Sequence, residues 1–219
     1  MGCDIHLWVE KRDFDGRWQP AEAYSEDGLY QSELYHGRSY KLFSLLAGVR
    51  SDGSIEPIAE PRGLPQDMSQ ILYDLAPDYA DHSHSWLTLR ELLDYDWLTP
   101  VRTTTQVTMT EFVSWTNWGR EQGRWPEYSF YSRSGPGVST ITMEEADRRL
   151  LEHPDVYGER KAWAALPEQE RINVEVWWDA PIARVVNSTF FCETMPALIK
   201  IAGGIANADQ VRIVFGFDS

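Results

Sequence analysis

The chain has 219 residues, of which 42% are apolar and 13% aromatic, enough to bury a substantial core within the size of one ordinary domain. Its 34 acidic and 20 basic residues give a net charge of −14, which repels a polyanion, so long DNA or RNA is not expected as a partner. Binding of a small anionic ligand remains possible. A few arginines in one pocket act on it at short range, whereas the field of the distant acidic residues is screened beyond about 8 Å.

The chain opens with the pattern of a β-hairpin. Residues 4–12 alternate between apolar side chains and a face that carries Asp4 and His6, as in a half-buried strand. An Asp-Phe-Asp-Gly turn follows, and residues 17–24 can return antiparallel, with Pro20 confining them to an edge or a bulge. Asp4 and His6 are therefore expected on one face of the first strand.

A capped helix is predicted next. Ser39 is an N-cap residue type and Gly48 a C-terminal signal, so the apolar stripe between them indicates a helix that ends near Arg50. The proline- and glycine-rich residues 51–65 specify an ordered but irregular loop, which carries Arg62. Both arginines are thus expected where helix and loop meet.

The rest of the chain mixes helical and strand patterns. The His-Ser-His segment at 82–84 is expected to form a loop before a helix that starts near Thr88. The other predicted helices cover residues 66–76 (ended by Pro77), 108–122, 143–151, 158–170 and 191–202, and the other predicted strands cover 172–178, 182–186 and 211–217. Together these patterns predict an α+β fold: a single domain, residues 1–219, with a small, mainly antiparallel sheet that joins the N- and C-terminal strands and helices between them.

Histidines are the sharpest chemical feature of the sequence. His6 follows Asp4 closely, and His82 and His84 follow Asp81. Imidazoles with carboxylates could bind a divalent metal, for which the candidates are Asp4, His6, His82 and His84. Without a metal, His6 or His82 could act as general acid or base beside Asp4 or Asp81, because imidazole titrates near neutral pH. The structural alternative is that His82 and His84 cap the next helix and bond to loops.

Three arginines lie beside or close to glycines, namely Arg38, Arg50 and Arg62. Glycine lets a backbone approach a ligand closely, and guanidinium groups suit phosphate or carboxylate. Tyr40 and Trp86 supply aromatic faces for a base. The ligand-binding candidates are His6, Arg38, Tyr40, Arg50, Arg62, His82, Ser83, Ser85 and Trp86. The alternative is that the arginines tie surface loops to the many acidic residues.

Other motifs are weaker. Ser83 and Ser85 lack the Gly-x-Ser-x-Gly setting of a nucleophilic serine. Residues 132–137 could hold a phosphate but lack the Lys-Ser/Thr ending of a P-loop, and Gly203-Gly204 follow a predicted helix instead of a strand. Five of the ten tryptophans are expected to pack in the core or at interfaces and not to serve as stacking platforms for a base, namely Trp115, Trp118, Trp125, Trp177 and Trp178.

Six segments resemble a family of bacteriophage and prophage proteins that begins with a Met-Gly-Cys-Asp-Ile-His motif. They are residues 1–6 (MGCDIH), 40–43 (Y-x-LF), 46–50 (LAGVR), 61–65 (PRGLP), 82–87 (HS-x-SWL) and 214–219 (VFGFDS). The resemblance covers the first ninety residues and the last few. It implies an accessory protein made by a phage in the host bacterial cytoplasm, where such proteins counter defence by sequestering or cleaving nucleotide signals. The low cysteine count and the charged N-terminus fit that setting, with no membrane contact.

The leading hypothesis is an anti-defence protein that binds and sequesters a small nucleotide immune signal, without a cofactor unless a divalent metal is bound. One alternative is a phosphodiesterase that cleaves such a nucleotide, with His6, His82 and Asp4 as catalytic residues. Another is a protein that inhibits a host defence enzyme directly through its acidic surface. The sequence leaves a homo-oligomer open.

Overall fold

The computed structural model describes residues 2–21, 34–35, 37–126, 137–152, 171–186 and 189–218. The chain divides into two compact units, which are described separately: Met1–Val101 with Pro181–Ser219 form the first, and Arg102–Ala180 form the second. Helices and strands are mixed, and the first and last strands share an antiparallel sheet, which confirms the predicted α+β class. The single domain stays a prediction.

The described elements are numbered in chain order. The strands are β1 (Asp4–Arg12), β2 (Trp18–Pro20), β3 (His82–Thr88), β4 (Pro100–Thr108), β5 (Ser139–Thr142), β6 (Ile172–Pro181) and β7 (Val211–Asp218). The α-helices are α1 (Tyr40–Ala47), α2 (Gln70–Tyr79), α3 (Leu89–Asp94), α4 (Met109–Trp118), α5 (Met143–Glu152), α6 (Ile182–Val185) and α7 (Met195–Ala202). A π-helical turn, Phe190–Thr194, leads into α7, and a 3₁₀ segment, Ile205–Gln210, leads into β7. No helix of the described residues is long and apolar enough to cross a membrane.

The first unit is built on a four-stranded sheet in the order β2-β1-β7-β3. The last strand, β7, lies between β1 and β3 and pairs antiparallel with both. The register with β1 runs from Asp4 opposite Asp218 to Lys11 opposite Val211. The predicted joining of the terminal strands is therefore confirmed.

Both faces of this sheet are covered. On one face Phe217 packs in the larger core with α1, where its ring lies 5.2 Å from that of Phe43. On the other face Val214 belongs to a smaller cluster with Trp8 of β1 and Leu72 of α2. Consequently residues 7–10 of β1 are all buried, and the prediction of a half-buried strand was wrong because helices cover both sides.

The predicted helix caps are confirmed. The Ser39 hydroxyl accepts a hydrogen bond from the Leu42 backbone N–H at 3.3 Å and so begins α1. Gly48 ends that helix in the left-handed conformation, with φ of 67°. Thr88 and Glu91 form a reciprocal capping box at the start of α3, which satisfies backbone donors that the first turn leaves free.

Other sequence predictions were wrong at three places. Residues 82–84 belong to β3 and not to a loop, because β7 offers them a backbone partner. Pro77 does not stop α2, whose last turn continues to Tyr79 while its apolar face stays packed against the sheet. Residues 182–185 form α6 instead of a strand, with the Val186 N–H bonded to the Ile182 carbonyl.

The polar strand β4 and the short strand β5 were not predicted. The predicted helix at 158–170 and the return strand beyond residue 21 lie outside the described residues.

The second unit contains a three-stranded sheet in the order β4-β6-β5, with β5 and β6 parallel. Val174 and Val176 of β6 pack in one core cluster with Phe112 of α4 and Met143 of α5. On β6, Glu175 and Trp177 alternate with these valines and are exposed. The alternation gives the sheet one apolar, helix-covered face and one polar face.

A buried ion pair crosses the first sheet. Arg212 of β7 and Glu10 of β1 are 2% and 0% exposed, and the Arg212 Nε donates to a Glu10 carboxylate oxygen at 2.8 Å. The other Glu10 oxygen accepts from the Ser69 N–H at 2.8 Å, and Asp67 binds Arg212 Nη1 at 2.8 Å. The ring of Trp18 lies 4.1 Å from the guanidinium carbon. Each charge therefore has partners that replace water.

Removing one member of this pair should lower the free energy of unfolding far more than removing both. Arg212→Leu leaves the Glu10 carboxylate buried and unpaired, so the free energy of unfolding should fall by about 3–5 kcal/mol. The double variant Glu10→Leu, Arg212→Leu should recover much of that loss. Urea unfolding followed by circular dichroism measures both. A double variant no more stable than Arg212→Leu alone would contradict this account.

Candidate functional site

Six of the nine predicted ligand-binding residues lie at one end of the first sheet. Because β1 and β3 run antiparallel to β7, their first residues flank its last ones. Phe217 pairs with Ile5 on one side and with His82 on the other, and its ring stacks on that of His82 at 6.0 Å. We call this region the strand-end cluster. It consists of Gly2, Asp4, His6, Arg38, Tyr40, Arg50, His82, Ser83, His84, Gly216 and Asp218.

Arg38 is held by a carboxylate at the start of β1. Its Nε and Nη2 donate to the two oxygens of Asp4 at 2.8 and 2.5 Å, and the Asp4 N–H donates to Asp218 at 3.1 Å. The hydrogen bonds from Arg38 lower the pKa of Asp4 and raise that of Arg38 in return. The guanidinium also lies on Gly2, where an added Cβ would be 2.7 Å from Nη1. Arg38 is thus fixed in position and compensated in charge.

This pair predicts a pH dependence. Because hydrogen bonds from Arg38 lower the pKa of Asp4, the pair stabilises the fold above the usual carboxyl pKa, and this contribution is lost as pH falls through the lowered value. Arg38→Gln should return the Asp4 pKa to its ordinary range, as measured by NMR titration of the carboxyl group. Arg90→Gln, which removes the partner of Asp209, is the control and should leave it unchanged. An Asp4 pKa that is the same with and without Arg38 would rule out the pairing.

Arg50 has no such carboxylate. Its Nη2 lies 3.5 Å from the Gly2 carbonyl and its guanidinium carbon 5.9 Å from the ring of Tyr40, which is 41% exposed. No acidic side chain of the described residues forms an ion pair with Arg50. Its charge is therefore the uncompensated one among the three candidate arginines.

Backbone strain concentrates at the same place. Arg50 and Ser83, with φ of 55° and 52°, are the only residues other than glycine that have positive φ in the described part of the chain. Such conformations cost about 1–3 kcal/mol each and cluster at functional sites. At Ser83 the strain accompanies a bulge, since the β3–β7 register shifts between His82 and Ser85. The Ser83 hydroxyl lies 3.0 Å from Nδ1 of His82.

The bulge aims His84 over the last strand. An added Cβ at Gly216 would lie 2.9 Å from Cδ2 and 3.2 Å from Nε2 of His84. His6 pairs with Gly216 in the register, so both imidazoles lie on one face of the sheet. Each Nε2 is buried and has no hydrogen-bond partner among the described residues, although that of His6 is 3.4 Å from a carboxylate oxygen of Asp218. Two imidazole nitrogens thus face this end of the sheet with hydrogen-bonding capacity unused.

Gly216 should therefore resist substitution. In Gly216→Ala the new methyl group meets His84 and the Ala80 methyl, which is 2.7 Å away, so the free energy of unfolding should fall by about 1–3 kcal/mol. His84→Ala in the same chain should relieve part of this loss. Urea unfolding of the two single variants and the double variant gives the coupling energy. Strict additivity of the two changes would show that the ring does not occupy this space.

Arg62, Ser85 and Trp86 form a separate group further along β3. Arg62 donates to both carboxylate oxygens of Glu91, at 2.5 and 3.2 Å, and lies 4.7 Å from the ring of Trp86. Its backbone N–H donates to the buried Ser85 hydroxyl at 3.1 Å. Burial alone would raise the pKa of Glu91, but hydrogen bonds from Arg62 and Thr88 lower it. This group ties the 51–65 loop to β3.

The remaining candidates have simpler surroundings. In the described residues, no group of three or more His, Cys, Asp or Glu side chains is placed to hold a metal ion. Of the proposed phosphate loop, only residue 137 is described. Gly203 ends α7 as a left-handed C-cap.

Sequence reasoning missed Gly216, although a glycine inside an apolar strand signals close approach of another group.

No protein-family model, curated protein or solved structure matches this chain.

Proposed function

We propose that this protein binds a small phosphate-bearing ligand, of the nucleotide class, at the strand-end cluster and holds it without chemical change. The observation that carries the proposal is Arg50. It is a guanidinium without a carboxylate partner, on a strained backbone, next to an exposed tyrosine ring. Arg50 contributes nothing to the core, so packing does not explain its strained backbone. Such strain is typical of residues with a role in function.

The cluster offers each part of a nucleotide a partner. Arg50 supplies charge for a phosphate, whereas Arg38 is left out because Asp4 already binds its Nε and Nη2. Tyr40 offers an aromatic face for a base. His82, whose side chain is 37% exposed, offers its imidazole for ribose or base edges. Arg62 and Trp86 are left out of this assignment because Glu91 already binds Arg62.

Sequestration of a nucleotide immune signal by a phage accessory protein is the biological role that we propose on this basis. It draws on the sequence resemblance for its setting and on the strand-end cluster for its chemistry. Nucleotide binding is compatible with the net charge of −14 because Arg50, which forms no ion pair within the described residues, supplies a positive charge at short range.

One observation favours catalysis as a second candidate. His6 Nε2 lies 3.4 Å from a carboxylate oxygen of Asp218, an arrangement in which a carboxylate could orient or support an imidazole base. A phosphodiesterase would use this pair on a bound phosphate ester. Capture and cleavage therefore predict the same binding site. They differ in whether the protein releases the intact nucleotide or its cleavage product.

The test is a capture-and-release assay. The protein is incubated with a panel of cyclic and ADP-ribose-derived nucleotides, and free ligand is measured by mass spectrometry before and after heat denaturation. Capture predicts loss of one panel member from solution and its return, unchanged in mass, on heating. A changed mass would instead support the phosphodiesterase. If every nucleotide stays free in solution, binding at this cluster is rejected, and direct inhibition of a host enzyme becomes the better hypothesis.

Arg50→Ala should weaken capture about tenfold or more, because it removes a charge-assisted hydrogen bond to phosphate. Arg17→Ala is the matched control, since Arg17 is exposed on the hairpin and lies outside the cluster. Isothermal titration calorimetry measures both affinities, and circular dichroism checks that both variants fold. Equal losses in the two variants would point to nonspecific attraction.

A further inference from the structure

The second unit contains a cavity that is lined by none of the residues of the strand-end cluster. It has a volume of about 370 Å³, within the range of small-molecule sites. One wall is a face of α4, where Thr110, Ser114 and Trp118 follow each other at four-residue spacing. The other wall is the segment after the helix, which contributes Arg124 and Trp125.

Trp118 is placed unlike the other tryptophan of this helix. Trp115 is 6% exposed, packs in the core of the unit and donates its indole N–H to the Arg124 carbonyl at 2.6 Å. That bond fixes the segment that forms the second wall. Trp118 is 72% exposed and does not belong to the core. Its indole face is therefore available to a ring that enters the cavity.

Besides indole rings, the cavity is lined by one guanidinium group, two hydroxyl groups and one carboxylate. The Arg124 side chain is exposed and makes no hydrogen bond or ion pair within the described residues. The carboxylate of the cavity, that of Glu111, already accepts from the N–H and hydroxyl of Thr108 at 2.7 and 3.0 Å. A matching ligand has a flat aromatic face and two neighbouring acceptors for the guanidinium fork.

We propose that this cavity binds a guanine-type purine, stacked on Trp118 with its O6 and N7 edge on Arg124. Arginine recognises that pair of acceptors in a bidentate manner, whereas adenine presents an amino donor at the same position. Stacking on an aromatic side chain supplies the remaining affinity and is indifferent to the base. Trp118 thus provides affinity, and Arg124 provides the preference for guanine. The proposal does not depend on the strand-end cluster, because all the residues that carry it belong to the second unit.

The test uses guanosine, adenosine and methyl glucoside with the full chain, measured by isothermal titration calorimetry. Nucleosides lack phosphate, so they do not probe the proposed role of Arg50. We expect guanosine to bind more tightly than adenosine and methyl glucoside not to bind. Trp118→Ala should weaken guanosine binding about tenfold or more. Arg124→Gln should remove most of the preference for guanosine while some stacking affinity remains.

Two controls make the outcome specific. Trp177→Ala removes another exposed tryptophan of the same unit, one that stacks on Arg102 at 4.1 Å outside the cavity, and should leave guanosine binding unchanged. Arg50→Ala should also leave it unchanged, which separates this site from the nucleotide site proposed above. The inference is overturned by equal affinity for the two nucleosides, by tighter binding of the glucoside, by absence of guanosine binding, or by normal binding in a folded Trp118→Ala variant.

Discussion

The central constraint of the first unit is that its last strand is buried on both faces while it pairs along both edges. A strand in that position must be apolar almost throughout, and residues 211–217 are all buried. The strands β1 and β3 pair with its two edges, and this pairing fixes where these two strands begin. The location of the strand-end cluster is thus a consequence of sheet topology, since two chain segments about eighty residues apart must flank one strand end.

Two residues within the buried part of that strand, residues 211–217, break the apolar pattern, and each is explained by what lies opposite. Arg212 faces Glu10 in the register, so its charge is neutralised inside the protein. Gly216 faces His6 and lies under His84, so its missing side chain makes room for imidazole rings. One exception serves stability and the other serves the shape of the site. The ion pair also locks the register, because a shift by one residue would bury both charges unpaired.

Local patterns predicted the elements whose cause is local. The Ser39 cap and the Gly48 terminus depend on neighbours in sequence, and both were predicted correctly, as was the strand conformation of β1. The strand at 82–88 was not predicted, because histidine and serine do not alternate with apolar residues at its start. Its strand conformation depends on β7, which is distant in sequence. The same holds for Arg62, whose partner Glu91 is set by tertiary folding.

The candidate arginines show why residue type alone does not define a binding site. Arg38, Arg50 and Arg62 look equivalent in the sequence, yet two of them bind carboxylates through both oxygens. A guanidinium paired in that way has little charge left for a phosphate, whereas an unpaired one keeps it. In a chain with 34 acidic residues, an arginine is expected to form an ion pair with a carboxylate, so an arginine without such a partner is informative. By this criterion Arg50 is the one of the three candidate arginines left to bind something else, and Arg124 of the second unit also forms no ion pair within the described residues.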